Sequence, residues 1–354
     1  MSLSFFEKNS KLVLITVNLI FALFLVWCFN LNIFQDTSTS EKYTLYDKIE
    51  YNLRCNGKRH IVMRENKPNQ TKFNTPPYDP TKKYIFRTDE NGFVEPSKIH
   101  ENSDLNIFFL GGSTTECEMV EENSRFPYLV GRILEEKTGK KINSYNGGKS
   151  GNNSIHSINN LINKVAPLNP NIVVRMDNIN DLSTLLYEAT YWNKNRSRSN
   201  LGCFSKKNSN LRNFDNEWTE SPFRDQISSV AHQEIIKAEY RKILTIFVAV
   251  TKAIGAKPVL MTQANRLIYD LELQIKKNDP EFNATYRKLY VDFQNIARQV
   301  AKENNILLID LEREVPMEVT YFYDTVHLTN EGSKLVAKII SEKLQNLTKK
   351  YVSH

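Results

Sequence analysis

From residue 105 onward the chain alternates two hydrophobic rhythms. Leu105 to Leu110 (LNIFFL) is a short apolar run ending at Gly111-Gly112, a pattern that predicts a buried strand. Lys141 to Tyr145, Ile172 to Met176 (IVVRM), Pro258 to Met261 and Ile306 to Ile309 predict four more, the first of them weaker. Between these runs the spacing changes to three and four. Phe126, Leu129, Val130, Ile133 and Leu134 fall on one helical face, as do Ile155, Ile158, Leu161, Ile162 and Val165. The same spacing recurs in Ile243, Leu244, Phe247 and Val250, and over a longer helix in Phe282, Tyr286, Leu289, Tyr290, Phe293, Ile296 and Val300. Leu335, Val336, Ile339, Ile340 and Leu344 mark the last helix.

Strands alternating with helices imply a parallel sheet covered on both faces, here a three-layer α/β/α sandwich of roughly five strands with right-handed crossovers. A domain over residues 84–349 accommodates it, opened by a short strand at Tyr84–Arg87 and a turn at Asp89 to Gly92. A polar stretch at about residues 183–234, carrying Trp192, Phe204, Phe214 and Trp218, interrupts the rhythm. It reads as an insertion, either a lid over the site or a disordered surface loop. Residues 35–83 are polar, hold Pro68, Pro76, Pro77 and Pro80 without periodicity, and read as a stalk and lead-in.

The opposite pattern stands at the start. Leu12 to Phe29 carries no charge, and Leu31, Ile33 and Phe34 extend it, so residues 12–34 predict one transmembrane helix. Lys8 and Lys11 precede it, whereas Asp36 and Glu41 follow. The positive-inside rule then puts residues 1–11 in the cytoplasm and the rest in an extracytoplasmic space, periplasmic or extracellular. A cleaved signal peptide is the rival reading, but Trp27, Cys28 and Phe29 make a poor cleavage site, which favours an uncleaved signal-anchor.

Composition fits a folded enzyme-sized chain. Of 354 residues, 40% are hydrophobic and 11% aromatic, enough for a large core. The net charge of +7 is dispersed, and no basic cluster is interleaved with aromatics, so a solvated surface near anionic lipid explains it better than nucleic acid does. Cys55, Cys117 and Cys203 lie beyond the anchor; three is odd, so at least one has no intrachain partner, and their spacings fit no zinc site.

Four segments at or beyond strand ends carry candidate chemistry, which is where such sheets place their sites. Gly111-Gly112-Ser113-Thr114-Thr115 offers a serine on a tight turn, or an ordinary capped strand-to-helix turn. Asn146 to Asn152 offers glycine-rich backbone whose N–H groups can face a ligand. Asn178-Ile179-Asn180-Asp181 offers an amide for an oxyanion, or a helix cap. Asp324-Thr325-Val326-His327 places a carboxylate three residues before a histidine, near enough to fix its tautomer. The chain has six histidines, and this one has a carboxylate so placed. His156, close after Gly151, reads as a helix-surface residue.

In this order the four segments resemble the conserved blocks of the SGNH hydrolases, the GDSL-like lipase/esterase superfamily. Phe108 to Glu116 is similar to the GGST variant of cell-envelope members, Asn146 to Gly151 to the glycine block, Asn180-Asp181 to the asparagine block, and Asp324 to Gly332 to the terminal block. Arg87 to Phe93 resembles the segment that often precedes the first block. Two positions depart from the pattern: Asn178 and Cys117 stand where glycine is usual. The resemblance implies a flavodoxin-like SGNH fold and a serine esterase with Ser113, Asp324 and His327 as triad. It implies an oxyanion hole from the Ser113 and Gly151 N–H groups and the Asn180 amide, and no metal or organic cofactor. The expected substrate is an acylated envelope or extracellular glycan, acetyl being the simplest acyl group. Acyl transfer to a polysaccharide, a lipid esterase, and a glycan-binding scaffold with a vestigial triad are the alternatives.

Overall fold

The computed structural model describes Asn18 and residues 61, 63–76, 78–192, 229–267 and 280–349. The chain divides into a unit Met1–His60, of which only Asn18 is described, and a unit Ile61–His354, which carries everything below. Apart from Asn18, the expected anchor at 12–34 therefore lies outside the described residues, as do Cys55 and Cys203. Among the described residues no helix is long and apolar enough to cross a membrane.

Five parallel strands form the main sheet: β3 (Leu105–Gly111), β4 (Ile142–Gly148), β5 (Ile172–Met176), β6 (Lys257–Met261) and β7 (Leu307–Ile309). Their order is β4-β3-β5-β6-β7. Numbered within the sheet this is 2-1-3-4-5, the flavodoxin-like arrangement, whose switch point lies beside the first strand. The expected strands are all present, and β4 runs on through Gly148 because its pairing with β3 continues to Gly111; Val94 bridges its far edge at Asn146. Alternation along β3 sends Phe108 and Leu110 into one core and Ile107 and Phe109 into the other.

Helices close both faces. Helix α2 (Phe126–Thr138) and α8 (Asn330–Lys349) bury Val130, Leu134, Val336 and Ile340 against Ile107, Val174 and Val259. On the other face α3 (Ser154–Asn160), α4 (Asn178–Glu188), α5 (Val230–Ala253) and α6 (Pro280–Glu303) pack Ile158, Leu182, Phe247 and Phe293 against Phe108, Val173 and Leu260. Two single-turn helices, α1 (Ser113–Glu116) and α7 (Leu311–Glu314), follow β3 and β7 directly.

Two boundaries differ from expectation. The polar stretch read as an insertion from about residue 183 begins later, because α4 continues to Glu188, where Ala189 takes a left-handed φ of 50° and ends it. At the other end α5 starts at Val230; residues 193–228 lie outside the described set. Helix α4 was hidden because its first turn is Asn178-Ile179-Asn180-Asp181, residues that favour caps and turns.

The second difference concerns the lead-in. Its described part is packed structure rather than stalk. β1 (Thr71–Asn74) pairs antiparallel with β2 (Tyr84–Arg87), and the buried Arg125 donates to Ile85 O beneath them at 2.7 Å. Upstream, residues 63–67 lie against the glycine loop that follows β4. Asn66 is buried and donates to Gly148 O at 3.0 Å, while Arg64 O accepts from Asn152 and Asn160 at 3.2 and 3.1 Å.

Candidate active site

Ser113 opens α1 immediately beyond the carboxyl end of β3. The first N–H groups of a helix have no partner within it, so α1 itself leaves the Ser113 N–H available. Its hydroxyl Oγ lies 2.7 Å from Nε2 of His327, a residue 214 positions away in sequence. The other ring nitrogen, Nδ1, lies 2.6 Å from Asp324 Oδ2.

The turn bearing these last two residues is closed on itself. Phe322 and Leu328 form an antiparallel bridge, and Tyr323 N donates to His327 O at 3.0 Å. Inside the turn Asp324 Oδ1 accepts the N–H groups of Val326 and His327, at 2.9 and 2.7 Å. Burial pushes the Asp324 carboxyl up, but the bond and charge of His327 and those two N–H groups outweigh it and hold it below the ordinary range. An ionised carboxylate only accepts. Nδ1 therefore carries the ring proton, which leaves Nε2 free to accept from Ser113. Tyr323 stacks on the imidazole, centroids 5.5 Å apart and planes 9° from parallel, and Tyr78 stacks on Tyr323 at 5.0 Å.

The other two expected segments arrive at the same edge. Asn180 lies in the first turn of α4, and its side-chain amide donates to Asn152 O at 2.8 Å. That amide sits directly over the nucleophile turn: a Cβ on Gly112 would come within 2.2 Å of Asn180 Nδ2. Gly151 occupies the third position of the turn Lys149–Asn152, closed by Asn152 N donating to Lys149 O at 2.9 Å. Its φ of +78° matches the roughly +80° of a type II turn, which glycine adopts without strain. In such a turn the N–H of the third residue is not used by the turn itself. All five expected site residues thus meet at one sheet end.

The two departures from the family pattern have local explanations. Asn178 takes helical backbone as the first residue of α4, so glycine's freedom is not needed there. Its side chain instead accepts from Tyr240 OH at 2.9 Å and donates to Gln294, anchoring the helix start. Cys117 caps α1 with φ 55° and ψ 41°, a left-handed conformation that does favour glycine. Its thiol is buried, and burial pushes it up to about 12. His156 was expected on a helix surface and is instead buried, where its Nδ1 accepts from Asn153 N at 3.2 Å in the cap of α3.

Sequence reasoning missed three contributors. Glu116, buried on α1, accepts the N–H and hydroxyl of Ser150 at 2.7 and 2.6 Å. Gln263, just past β6, donates to Thr114 Oγ1 at 2.9 Å and accepts the Ile179 N–H at 3.0 Å, joining the nucleophile turn to α4. Arg64 donates to Ser150 O at 2.9 Å. The position of Glu116 within the GGST-like block was the one available signal; the other two residues lie in no motif.

Beside Ser113 lies a pocket of about 190 Å3, open to solvent and lined by Ser113, Cys117, Met119, Val120, Tyr323, His327 and Leu328 among others. Its enclosed part has room for about one water-sized group.

Taken together, the architecture is a flavodoxin-like α/β/α sheet with a serine, a histidine and an aspartate in line at its carboxyl edge. Several solved structures are similar. An acetylxylan esterase from Geobacillus stearothermophilus matches at 17% identity over 70% of this chain and 96% of its own, with a TM-score of 0.44. An acetyl xylan esterase, AlAXEase, matches at 18% identity over 67% and 98%, TM-score 0.42. An alpha/beta hydrolase enzyme from the metagenome of Lake Arreo, Spain, matches at 17% over 68% and 95%, TM-score 0.44. No protein-family model and no curated protein matches the sequence. With TM-scores below 0.5, the reading of the site rests on its own residues.

Proposed function

We propose that the chain is an SGNH-type serine esterase that removes short acyl groups, acetyl first among them, from a glycan. The observation that carries this reading is the continuous hydrogen-bonded line Asp324–His327–Ser113, with separations of 2.6 and 2.7 Å. Contacts of this length are already those a general base needs.

In the reaction, Ser113 Oγ bonds to the ester carbonyl carbon as its proton passes to His327 Nε2. Asp324 accepts the Nδ1–H throughout and stabilises the imidazolium. The carbonyl oxygen gains the negative charge and is held by the N–H groups of Ser113 and Gly151 and by the Asn180 amide. Collapse breaks the bond to the alcohol oxygen, which takes the proton from Nε2 and leaves. Water then attacks the acyl carbon, gives its proton to His327, and the released serine recovers it as the carboxylic acid departs.

The small enclosed part of the pocket, beside Cys117, Val120 and Leu328, supports a short acyl chain. A sugar on the leaving side is supported by Tyr78, a residue 41% exposed whose ring stacks on Tyr323, which in turn stacks on the imidazole. The apolar run Leu12 to Phe29 supports tethering of this activity to a membrane, facing away from the cytoplasm.

A fluorophosphonate probe tests the reading on the full chain. Wild type is expected to be labelled on Ser113, and Ser113→Ala and His327→Ala to be silent. Labelling that survives Ser113→Ala sinks the nucleophile. Faster release of p-nitrophenol from the octanoyl than from the acetyl ester sinks the short-acyl assignment. Released acetate from an acetylated oligosaccharide establishes hydrolysis; acetyl recovered on a second sugar instead makes the chain a transferase.

A further inference from the structure

Gly151 is useful to an oxyanion only if its N–H points into the site, and a turn with glycine at this position can take two forms. The middle peptide of a β-turn, here Ser150–Gly151, reverses direction between type I and type II. Glycine at the third position accepts both, because it populates negative and positive φ alike. The turn itself therefore does not decide which way the Gly151 N–H faces.

Arg64 decides it. Its Nη2 donates to Ser150 O at 2.9 Å. That carbonyl and the Gly151 N–H belong to one planar trans peptide, in which C=O and N–H point opposite ways. Holding the carbonyl toward Arg64 holds the N–H on the opposite side, in the type II form that the observed φ of +78° marks. A flip to type I would carry Ser150 O away from the guanidinium and break a charge-assisted bond. The residue before the peptide is fixed as well, since Glu116 takes both the N–H and the hydroxyl of Ser150. The guanidinium also polarises the peptide it binds, which strengthens the N–H as a donor.

We propose that Arg64 is a positioning residue for the reaction: it locks and polarises the Ser150–Gly151 peptide so that the Gly151 N–H faces the oxyanion. This rests on the esterase reading above. It also gives the lead-in segment, read from sequence as a stalk, a part in the chemistry. The backbone of Arg64 holds the segment in place independently, because its carbonyl accepts from Asn152 and Asn160. Replacing the side chain therefore leaves that anchoring intact.

The test uses Arg64→Met, which keeps a long stem and loses the donor, and Arg64→Lys, which keeps a charged donor without the fork. Three quantities are read on full-length protein: kcat and KM for p-nitrophenyl acetate, the rate of fluorophosphonate labelling of Ser113, and the affinity for a boronic acid that forms a tetrahedral adduct. For Arg64→Met a fall of about tenfold is expected in kcat, labelling rate and boronate affinity together, below the hundred- to thousand-fold that losing an oxyanion donor itself costs. KM should stay within about twofold, and Arg64→Lys should fall between Met and wild type. Wild-type labelling and turnover in a folded Arg64→Met overturns the proposal, as does a loss confined to KM. If Arg64→Met does not fold, Arg64→Lys at the wild-type labelling rate overturns it. Absence of Ser113 labelling in the wild type is a different result, which removes the esterase reading on which the proposal stands.

Discussion

Gly112 and Asn180 leave no space between them: a Cβ on the first would lie 2.2 Å from the amide nitrogen of the second. The turn bearing Ser113 and the Asn180 amide are thus set against each other through a missing methyl group. Gly112→Ala is expected to displace the Asn180 amide and lower kcat about a hundredfold, the loss typical of one oxyanion donor. Asn180→Ala should cost about as much, and the double variant little more, since both remove the same donor. Additive losses in that cycle would show that Gly112 acts by another route.

Asp324 holds the ring nitrogen of His327 at 2.6 Å and is bound through its second oxygen by two backbone N–H groups. Asp324→Asn keeps the shape and offers a donor where an acceptor is required. A drop of about a thousand- to ten-thousand-fold in kcat is expected on p-nitrophenyl acetate, with near-native circular dichroism. The same carboxyl is held below its ordinary range in the folded chain, so its contribution to stability is present above about 3.8 and is lost as pH falls through its folded value.

Asp177 behaves in the opposite sense. It is fully buried beside Arg175 and Asp181, and burial pushes it up to about 7 despite the guanidinium 3.1 Å away. Arg175 serves two buried carboxylates, and Ser157 and Tyr240 complete the group with neutral hydroxyls. The folded state therefore favours the protonated form of Asp177. Its contribution is full below about 3.8 and is lost as pH rises toward about 7. Urea midpoints should fall across that window in the wild type and flatten in Asp177→Asn. An unchanged slope in the variant would move the proton to another group.

Cys117 combines a buried thiol with a value pushed up to about 12. Thiolate is the reactive form, and near pH 8 it would be about one part in ten thousand. Iodoacetamide followed by mass spectrometry of the peptide bearing Cys117 should find it unmodified in native protein and fully alkylated after denaturation. Ready alkylation in the native state would contradict its burial. Because Cys117 has a φ of 55°, Cys117→Val should destabilise by about 1–2 kcal/mol or more, as a branched side chain fits the left-handed region worse than cysteine does.

Gln263 ties Thr114 to the first turn of α4, with Tyr290 OH also donating to it at 3.2 Å. Gln263→Ala leaves buried donors without an acceptor, at about 1–3 kcal/mol each. A lower melting temperature is expected together with slower labelling of Ser113. Gln263→Glu, which keeps the acceptor, should recover stability more than labelling.

The parts of the site that were legible in the sequence are those whose chemistry is carried by neighbouring residues. Asp324 and His327 share one turn, Ser113 follows its glycines, and Gly151 and Asn180 stand at fixed places in short blocks. The strands were equally plain, because β3 and β5 are apolar runs buried on both faces. What stayed hidden depends on long-range contact. Arg64 meets Ser150 across 86 residues and Gln263 meets Thr114 across 149, and no local pattern marks either. Helix α4 begins with three polar residues among four, so tertiary anchors such as Tyr240 and Gln263 decide its start rather than propensity.

The 214 residues between Ser113 and His327 also set an order of events during synthesis. Ser113 follows the first strand of the main sheet, whereas its base sits between the last strand and the last helix. On the esterase reading, a growing chain carries Ser113 long before it carries the His327 that deprotonates it. Reactivity is therefore withheld until β7 has docked and α8 has begun to close the second face, and a chain stopped short of that point is inert by construction rather than by inhibition.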